Sequence, residues 1–182
     1  MKLFKTVRNL VTFSRSQEKE AWKLYLKTVE QARLPVFYQD LGTQDNIDGR
    51  YDVLTLHVCM MMYVLDKKSP QAIEYNQDLF DVMFEDMEYN LREMGVGDLA
   101  VKHKMKAMWS AFNGRRHAYY EGFNTPNTLA AAIARNLYRG EKVSQKTLKW
   151  WESYIATTLA HLTTFTYADL IHGKITFQKV AI

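Results

Sequence analysis

The chain has 182 residues, 47% of them apolar and 24% charged, with a formal net charge of +4 at neutral pH. That length suits one domain burying roughly 70% of its unfolded surface, and the composition excludes disorder, while only three prolines and eight glycines interrupt long periodic stretches that favour helices. The single cysteine, Cys59, excludes an intramolecular disulfide and, set in an apolar run, points to a reducing compartment.

The first thirteen residues interleave Lys2, Lys5 and Arg8 with Leu3, Phe4, Val7, Leu10 and Val11 at helical spacing, without the unbroken apolar core of a signal peptide. This basic amphipathic segment, 1–13, reads either as a membrane-surface or partner-binding helix or as a terminal helix packing on its own domain. Residues 14–182 read as one helical domain. Ser14 opens a capping box with Gln17, and Ala21, Trp22, Tyr25, Leu26 and Val29 recur at three- and four-residue intervals until Pro35. A short helical turn over 36–41 closes at Gly42, and the polar stretch 43–50 is expected to be a loop with Asp48-Gly49 as its turn. The helix over 51–66 is apolar on nearly every side, which places it at the centre of a bundle. Its most apolar part, 53–65, is too short to span a bilayer, which takes roughly 20 residues.

Ser69-Pro70 starts the next helix, which runs to Met94 before Gly95. Ile73, Phe80, Phe84, Met87, Leu91 and Met94 are its expected core stripe. At about 100° per residue, Asp78, Asp81, Glu85 and Glu88 form a row roughly 120° away, ending at Arg92 and facing out. Asp98 is expected to cap a long helix with the core stripe Val101, Met105, Met108, Phe112 and Tyr119, and with Gly114 as a weak spot. Thr125-Pro126 begins an alanine-rich helix ended by Gly140. Ser144 caps a last helix continuing through Trp151, Ile155, Leu162 and Phe165 to His172, with Gly173 in the stop position. The sum is an all-α, single-domain bundle of about six or seven helices around the helix at 51–66.

Charge is strongly divided about Gly95-Val96-Gly97. Over 78–98 there are seven acids and one base, Arg92, whereas over 99–120 there are five bases, Lys102, Lys104, Lys106, Arg115 and Arg116, and no acid. The bases scatter around their helix by the same phase arithmetic, which weakens a nucleic-acid reading. No Glu precedes a His by three residues, so the di-iron carboxylate pattern is missing. Of the histidines, His57 lies in the all-apolar helix and reads as a core residue, while His103 falls opposite its helix's core stripe. Cys59 is expected to be buried and inert. No Gly-x-Ser-x-Gly, glycine-rich phosphate loop or haem-attachment motif occurs, and no catalytic, cofactor or metal site is assigned.

Two stretches identify a relationship. DMEYNLREMGVGDLAVKHKMKAMWSAFNGRRHAY, 86–119, resembles the hallmark of the ubiquinol–cytochrome c chaperone family, an Asp-Met…Leu-Arg-Glu-Met-Gly-Val-Gly-Asp segment followed by Met-Lys and Phe-x-Gly-Arg-x-x-Ala-Tyr. Upstream, VEQARLPVFYQDLGTQDNIDGRYDVLTLHV, 29–58, is similar to that family's Gln-Ala-Arg-x-Pro-x-Phe-Tyr…Asp-Gly-Arg-Tyr-Asp…Leu-His signature. Thr43-Gln44 stands where Val-Pro is expected, and Asn46-Ile47 where Thr is usual. With no arginine- and serine-rich transit sequence before Ser14, the chain resembles an alphaproteobacterial member more than a mitochondrial precursor.

The resemblance implies an assembly factor, not an enzyme. It implies cytochrome b as client, delivered to ubiquinol–cytochrome c reductase, and a cytoplasmic or peripheral position on the inner face of the membrane. In mitochondria the family acts with a small partner protein and at the ribosome; DNA is not an implied partner, and neither is a cofactor. The residues expected to face a partner are Arg92, Glu93, Asp98, Lys106, Arg115, Arg116 and Tyr119, with Arg92, Glu93, Asp98 and Arg115 either pairing across the corner at 95–97 or meeting the client. The rival classes are an RNA- or ribosome-binding helical module and a haem-binding or metal-dependent helical enzyme.

Overall fold

A computed structural model of the protein describes residues 15–125 and 127–180, with side chains from Glu20 onward; the basic segment 1–13, the Ser14 box and the Pro126 helix start lie outside the described residues. Among the described residues there are eight helices and no strand: α1 (Arg15–Ala32), α2 (Val36–Gln39), α3 (Ile47–Lys68), α4 (Ala72–Glu93), α5 (Asp98–Asn124), α6 (Leu129–Leu137), α7 (Gln145–Thr163) and α8 (Tyr167–Ile171). The chain is therefore the all-α bundle its periodicity predicts. None of the described helices is long and apolar enough to cross a membrane.

α3 is the axis of the bundle. Fifteen of its residues are buried, from Gly49 to Leu65, and α1, α4, α5, α6, α7 and α8 all pack on it. Its start differs from the expected loop at 43–50. Asn46 caps the helix, its side chain accepting from the Gly49 amide at 2.8 Å, so Asp48 and Gly49 form its first turn. Gly49 is there for space and not for a turn: a Cβ at this position would lie 1.9 Å from the Gln44 carbonyl oxygen.

A polar network closes the core beneath α3. His57 lies with Nδ1 2.8 Å from the Val53 carbonyl, which fixes that nitrogen as the donor. Nε2, 2.7 Å from the Tyr154 hydroxyl, then accepts from it, and Tyr154 in turn accepts from Gln31 at 3.0 Å. Burial holds His57 down at about 4, so it is neutral, the core histidine that its sequence position predicts.

α4 buries more than the single stripe its sequence suggests, of which Leu91 is buried and Phe80, Phe84 and Met87 are partly buried. Ala72, Tyr75, Asn76, Asp78, Leu79, Val82 and Met83 are buried in a helix that packs on α1 and α3, while Phe80 and Phe84 meet Phe112 of α5 and remain partly exposed. Ile73 and Met94, expected in the core, are 74% and 51% exposed. The helix is wedged between neighbours on two sides, and a single-stripe reading averages two faces into one. The acidic row is corrected for the same reason: Asp81 and Glu85 face out, but Asp78 is buried. On α1, Leu26 is likewise exposed, at 52%.

Gly95 ends α4 with φ +77, its amide bonding to Arg92 O at 2.9 Å and the Val96 amide to Leu91 O at 3.1 Å. This paired pattern is the Schellman stop that glycine permits, so the corner at 95–97 is a hydrogen-bonded elbow. Gly97, not Asp98, occupies the cap of α5, so no side chain caps the helix start. The expected core stripe of α5 is buried at Val101, Phe112 and Tyr119 and partly covered at Met105 and Met108. The long final helix is split. α7 stops at Thr163, and Thr166 and Asp169 form a new capping box that starts α8. The tail beyond α8 has no regular structure but buries Ile175 and packs Phe177 on the core.

Candidate functional site

α4 and α5 form a helical hairpin, and the residues singled out by sequence separate along it. Near its base, Arg115 reaches inward to α3. Its Nη2 lies 2.6 Å from Oδ1 of Asp52, whose side chain is fully buried, while the Arg115 side chain is 14% exposed. The Arg115 guanidinium also sits over the Tyr51 ring, 5.2 Å from its centroid, and the Tyr51 hydroxyl donates to the Met108 carbonyl at 2.6 Å. Arg139, just past α6, completes the cluster: its Nε donates to Asp52 Oδ2 at 3.0 Å and its Nη1 to Asp48 at 3.3 Å. Arg139 itself has φ +53, held in the left-handed region where a non-glycine residue is uncommon.

This latch ties α3, α5 and the end of α6 together. A carboxylate inside a helix buried on all sides is expensive unless cations meet it. Burial raises the Asp52 carboxyl to about 6 even with Arg115 and Arg139 pulling it down. It is ionised at neutral pH, and the two arginines are the groups that favour its charged form. Asp48, Tyr51, Asp52 and Arg139 were not predicted as site residues. The available signal was an acid in the middle of an apolar helix, which demands a partner; no sequence rule names that partner as residues 115 and 139.

At the far end of the hairpin, Arg92 bonds Glu88 at 2.8 Å through Nη2 and reaches across the elbow to Asp98 through Nη1. The corner pair expected from sequence is thus made by Arg92 and Asp98, whereas Arg115 lies elsewhere, on Asp52. Glu93 and Lys106 are exposed, and Arg116 is exposed beside the Tyr120 ring. Tyr119 is fully buried, so it supports the hairpin from inside and meets no partner in this conformation.

Four large apolar side chains surround these charges in solvent: Tyr89 at 61%, Met94 at 51%, Leu99 at 73% and Trp109 at 52% exposure. Helical phase puts Lys102, Lys106, Trp109, Asn113 and Arg116 on one flank of α5, at successive four- and three-residue steps. The bases are thus less scattered than their full set of five suggests. Lys102, Lys104 and Lys106 have no ion pair among the described residues. An ordered helical surface with unpaired lysines and half-exposed large side chains can bind a partner.

Among the described residues no group of three or more His, Cys, Asp or Glu is placed to hold a metal ion. Both His57 nitrogens are engaged, His161 faces the Thr176 carbonyl, and His172 pairs with Glu20 at 3.0 Å, so these three are committed within the fold. Cys59 is buried and its thiol is pushed up by that burial.

The whole fold matches the crystal structure of the Cbp3 homolog from Brucella abortus with a TM-score of 0.76 at 27% identity, over 98% of this chain and 97% of that one. Among curated proteins, the ubiquinol-cytochrome-c reductase complex assembly factor 1 of Xenopus laevis is 24% identical over 152 residues, 83% of this chain and 76% of the relative. The proteins of that name from Mus musculus and Homo sapiens are 23% and 22% identical over 83% and 88% of this chain, which spans about half of their lengths, 52% and 54%. Residues 39–177, which hold both the latch and the whole hairpin, match the sequence model of the ubiquinol-cytochrome C chaperones, and the chain belongs to that family.

Proposed function

We propose that this protein is an assembly chaperone of ubiquinol–cytochrome c reductase, that its client is newly made cytochrome b, and that the outer end of the α4–α5 hairpin is the surface that meets the client. The observation that carries the reading is the set Tyr89, Met94, Leu99 and Trp109, each more than half exposed on a hydrogen-bonded helical scaffold. Large side chains held in solvent on ordered helices form a docking surface for an apolar partner, and methionine adapts to varied shapes. Arg92, Glu93, Asp98, Lys106 and Arg116 frame that surface and select orientation, while Arg115 and Tyr119 hold the hairpin from within. The unpaired lysines of α5 favour a workplace beside an anionic surface, and the inner face of the membrane where cytochrome b emerges fits that chemistry.

The test is a photo-crosslinking amino acid placed at Leu99 or Trp109 in the full chain, expressed in cells that make the reductase. Cytochrome b should be captured from these positions and not from Leu26, which is equally exposed on α1. Capture at all three alike, or at none, removes the assignment of the surface. A second reading, RNA or ribosome contact, draws on the same three lysines. It requires binding that falls steeply with salt, and cytochrome b capture unaffected by Lys102→Glu together with Lys106→Glu would favour it.

A further inference from the structure

Six buried side-chain polar atoms among the described residues lack a hydrogen-bond partner, and five of them belong to one junction. Asp52 Oδ1 and Thr55 Oγ1 stand one turn apart on α3, Arg115 Nε and Tyr119 OH one turn apart on α5, and Asn136 Nδ2 on α6. Asp52, Thr55 and Tyr119 are fully buried, and Asn136 is 7% exposed. Their proximity shows in several ways. Arg115 Nη2 is at ion-pair distance from Asp52 Oδ1 without the alignment of a hydrogen bond. Tyr119 lies close enough to Asp52, Arg115 and Asn136 for all three to influence its hydroxyl, although no bond to Asn136 is made. Thr55 borders Tyr51, whose ring carries the Arg115 guanidinium.

Buried polar groups in folded proteins are almost always satisfied, and a cluster of exceptions calls for an explanation, an ordered water or ion among them. The five atoms decide which. Arg115 Nε and Asn136 Nδ2 can only donate, Asp52 Oδ1 can only accept, and the Thr55 and Tyr119 hydroxyls do either. An anion would meet the Asp52 carboxylate, and a metal ion would meet a guanidinium. Water, with two protons to give and two lone pairs to fill, matches a set of donors, an acceptor and ambivalent hydroxyls. We infer that the α3–α5–α6 junction holds at least one ordered water that bridges Asp52, Arg115, Tyr119, Thr55 and Asn136, making the base of the hairpin a hydrated joint. The latch is then partly water-mediated, and α5 is anchored by bonds that can re-form after a small shift, which dry packing would not allow.

Two measurements on the full chain decide this. A crystal structure at high resolution should show density for a water within hydrogen-bond distance of at least three of the five atoms. Direct pairing of those atoms with no water between them, or an ion in the site, overturns the inference. Thr55→Val, which removes only the hydroxyl, gives an independent sign test: an orphan hydroxyl is better replaced by a methyl, so a dry site predicts a raised Tm. A bridged hydroxyl predicts a lowered Tm, and so does the hydrated joint. Tyr119→Phe should shift Tm in the same direction, and a Tm unchanged or raised in both variants would overturn the inference whatever the density.

Discussion

Arg115→Met tests the latch most directly. Methionine keeps an apolar stem over Tyr51 and removes the cation whose Nη2 lies 2.6 Å from Asp52. Removing one partner of a buried pair costs about 3–5 kcal/mol. Here the low end applies, because Arg139, 39% exposed, still holds Asp52 Oδ2 at 3.0 Å. A loss of about 3 kcal/mol corresponds to a fall in Tm of about 6–12 °C for a chain of this size. The loss should depend on pH in a particular direction. Asp52 titrates at about 6 in the fold against 3.8 as a free group, so the folded state binds the extra proton between those values. At pH 5 the wild-type carboxyl is already largely neutral and the ion pair is gone. The penalty of Arg115→Met should then shrink to about 1 kcal/mol, the share of the ring contact and remaining packing. Adding Asp52→Leu should recover most of the loss at pH 8, since replacing a whole buried pair by apolar groups is near neutral. Thermal melts at pH 8 and pH 5 measure all three quantities. Equal penalties at the two pH values, or a double variant no more stable than the single, would refute the argument.

Gly49→Ala puts a Cβ 1.9 Å from the Gln44 carbonyl and should cost at least about 3 kcal/mol, read as a Tm loss or failure to accumulate. Gly95→Ala at φ +77 should cost about 1 kcal/mol, because nothing crowds the new methyl and only the left-handed backbone is strained. His57 contributes with the opposite sign to Asp52: its folded value of about 4 lies below the free value of 6.5, so stability is lost as pH falls from about 6.5 to 4, by up to about 3 kcal/mol. Asp52→Asn removes the opposing group, and its denaturant midpoint should therefore fall more steeply between pH 6 and 4 than that of the wild type. Leu99→Glu should leave Tm within about 2 °C, since a surface change is worth under about 0.5 kcal/mol, yet should reduce co-purification of the client.

α3 was readable because a helix buried on all sides is apolar on all sides, and α5 because its buried residues Val101, Phe112 and Tyr119 fall on the stripe that its period marks. α4 defeated a one-stripe reading: it packs on α1 and α3 with Leu79, Val82 and Met83 buried, and on α5 through Phe80 and Phe84, so Ile73 and Met94 joined a stripe they do not share. Asp48-Gly49 reads locally as a turn, and only the approach of the Gln44 backbone explains glycine inside a helix. The split at Thr164 is set by the Thr166–Asp169 capping box, a signal present in the sequence but outweighed by the apolar period running through it. Of the charges beside the elbow, the pairing of Arg92 with Asp98 was recoverable, because the two residues are near in sequence. The pairing of Arg115 and Arg139 with Asp52 joins residues 63 and 87 positions apart, and local periodicity carries no information at that range.

The two ends of the hairpin explain each other. A surface bearing Leu99 and Trp109 in solvent works as a docking face only if its helices keep their shape without a partner, since ordering them on binding would subtract from affinity. At the tip, the Arg92 ion pairs are exposed and screened by solvent, too weak to hold the helices in register. The Schellman stop at Gly95 fixes the elbow, and the remaining constraint comes from the base, where Asp52 receives Arg115 from α5 and Arg139 from beyond α6. On the proposed reading, the latch constrains the base of the hairpin without occupying the docking surface. If so, Arg115→Met should weaken client capture at Leu99 even under conditions where the protein remains folded, and addition of Asp52→Leu, which restores stability but not the charged anchor, should leave capture weak. Capture restored in step with Tm would show that the latch supplies stability alone.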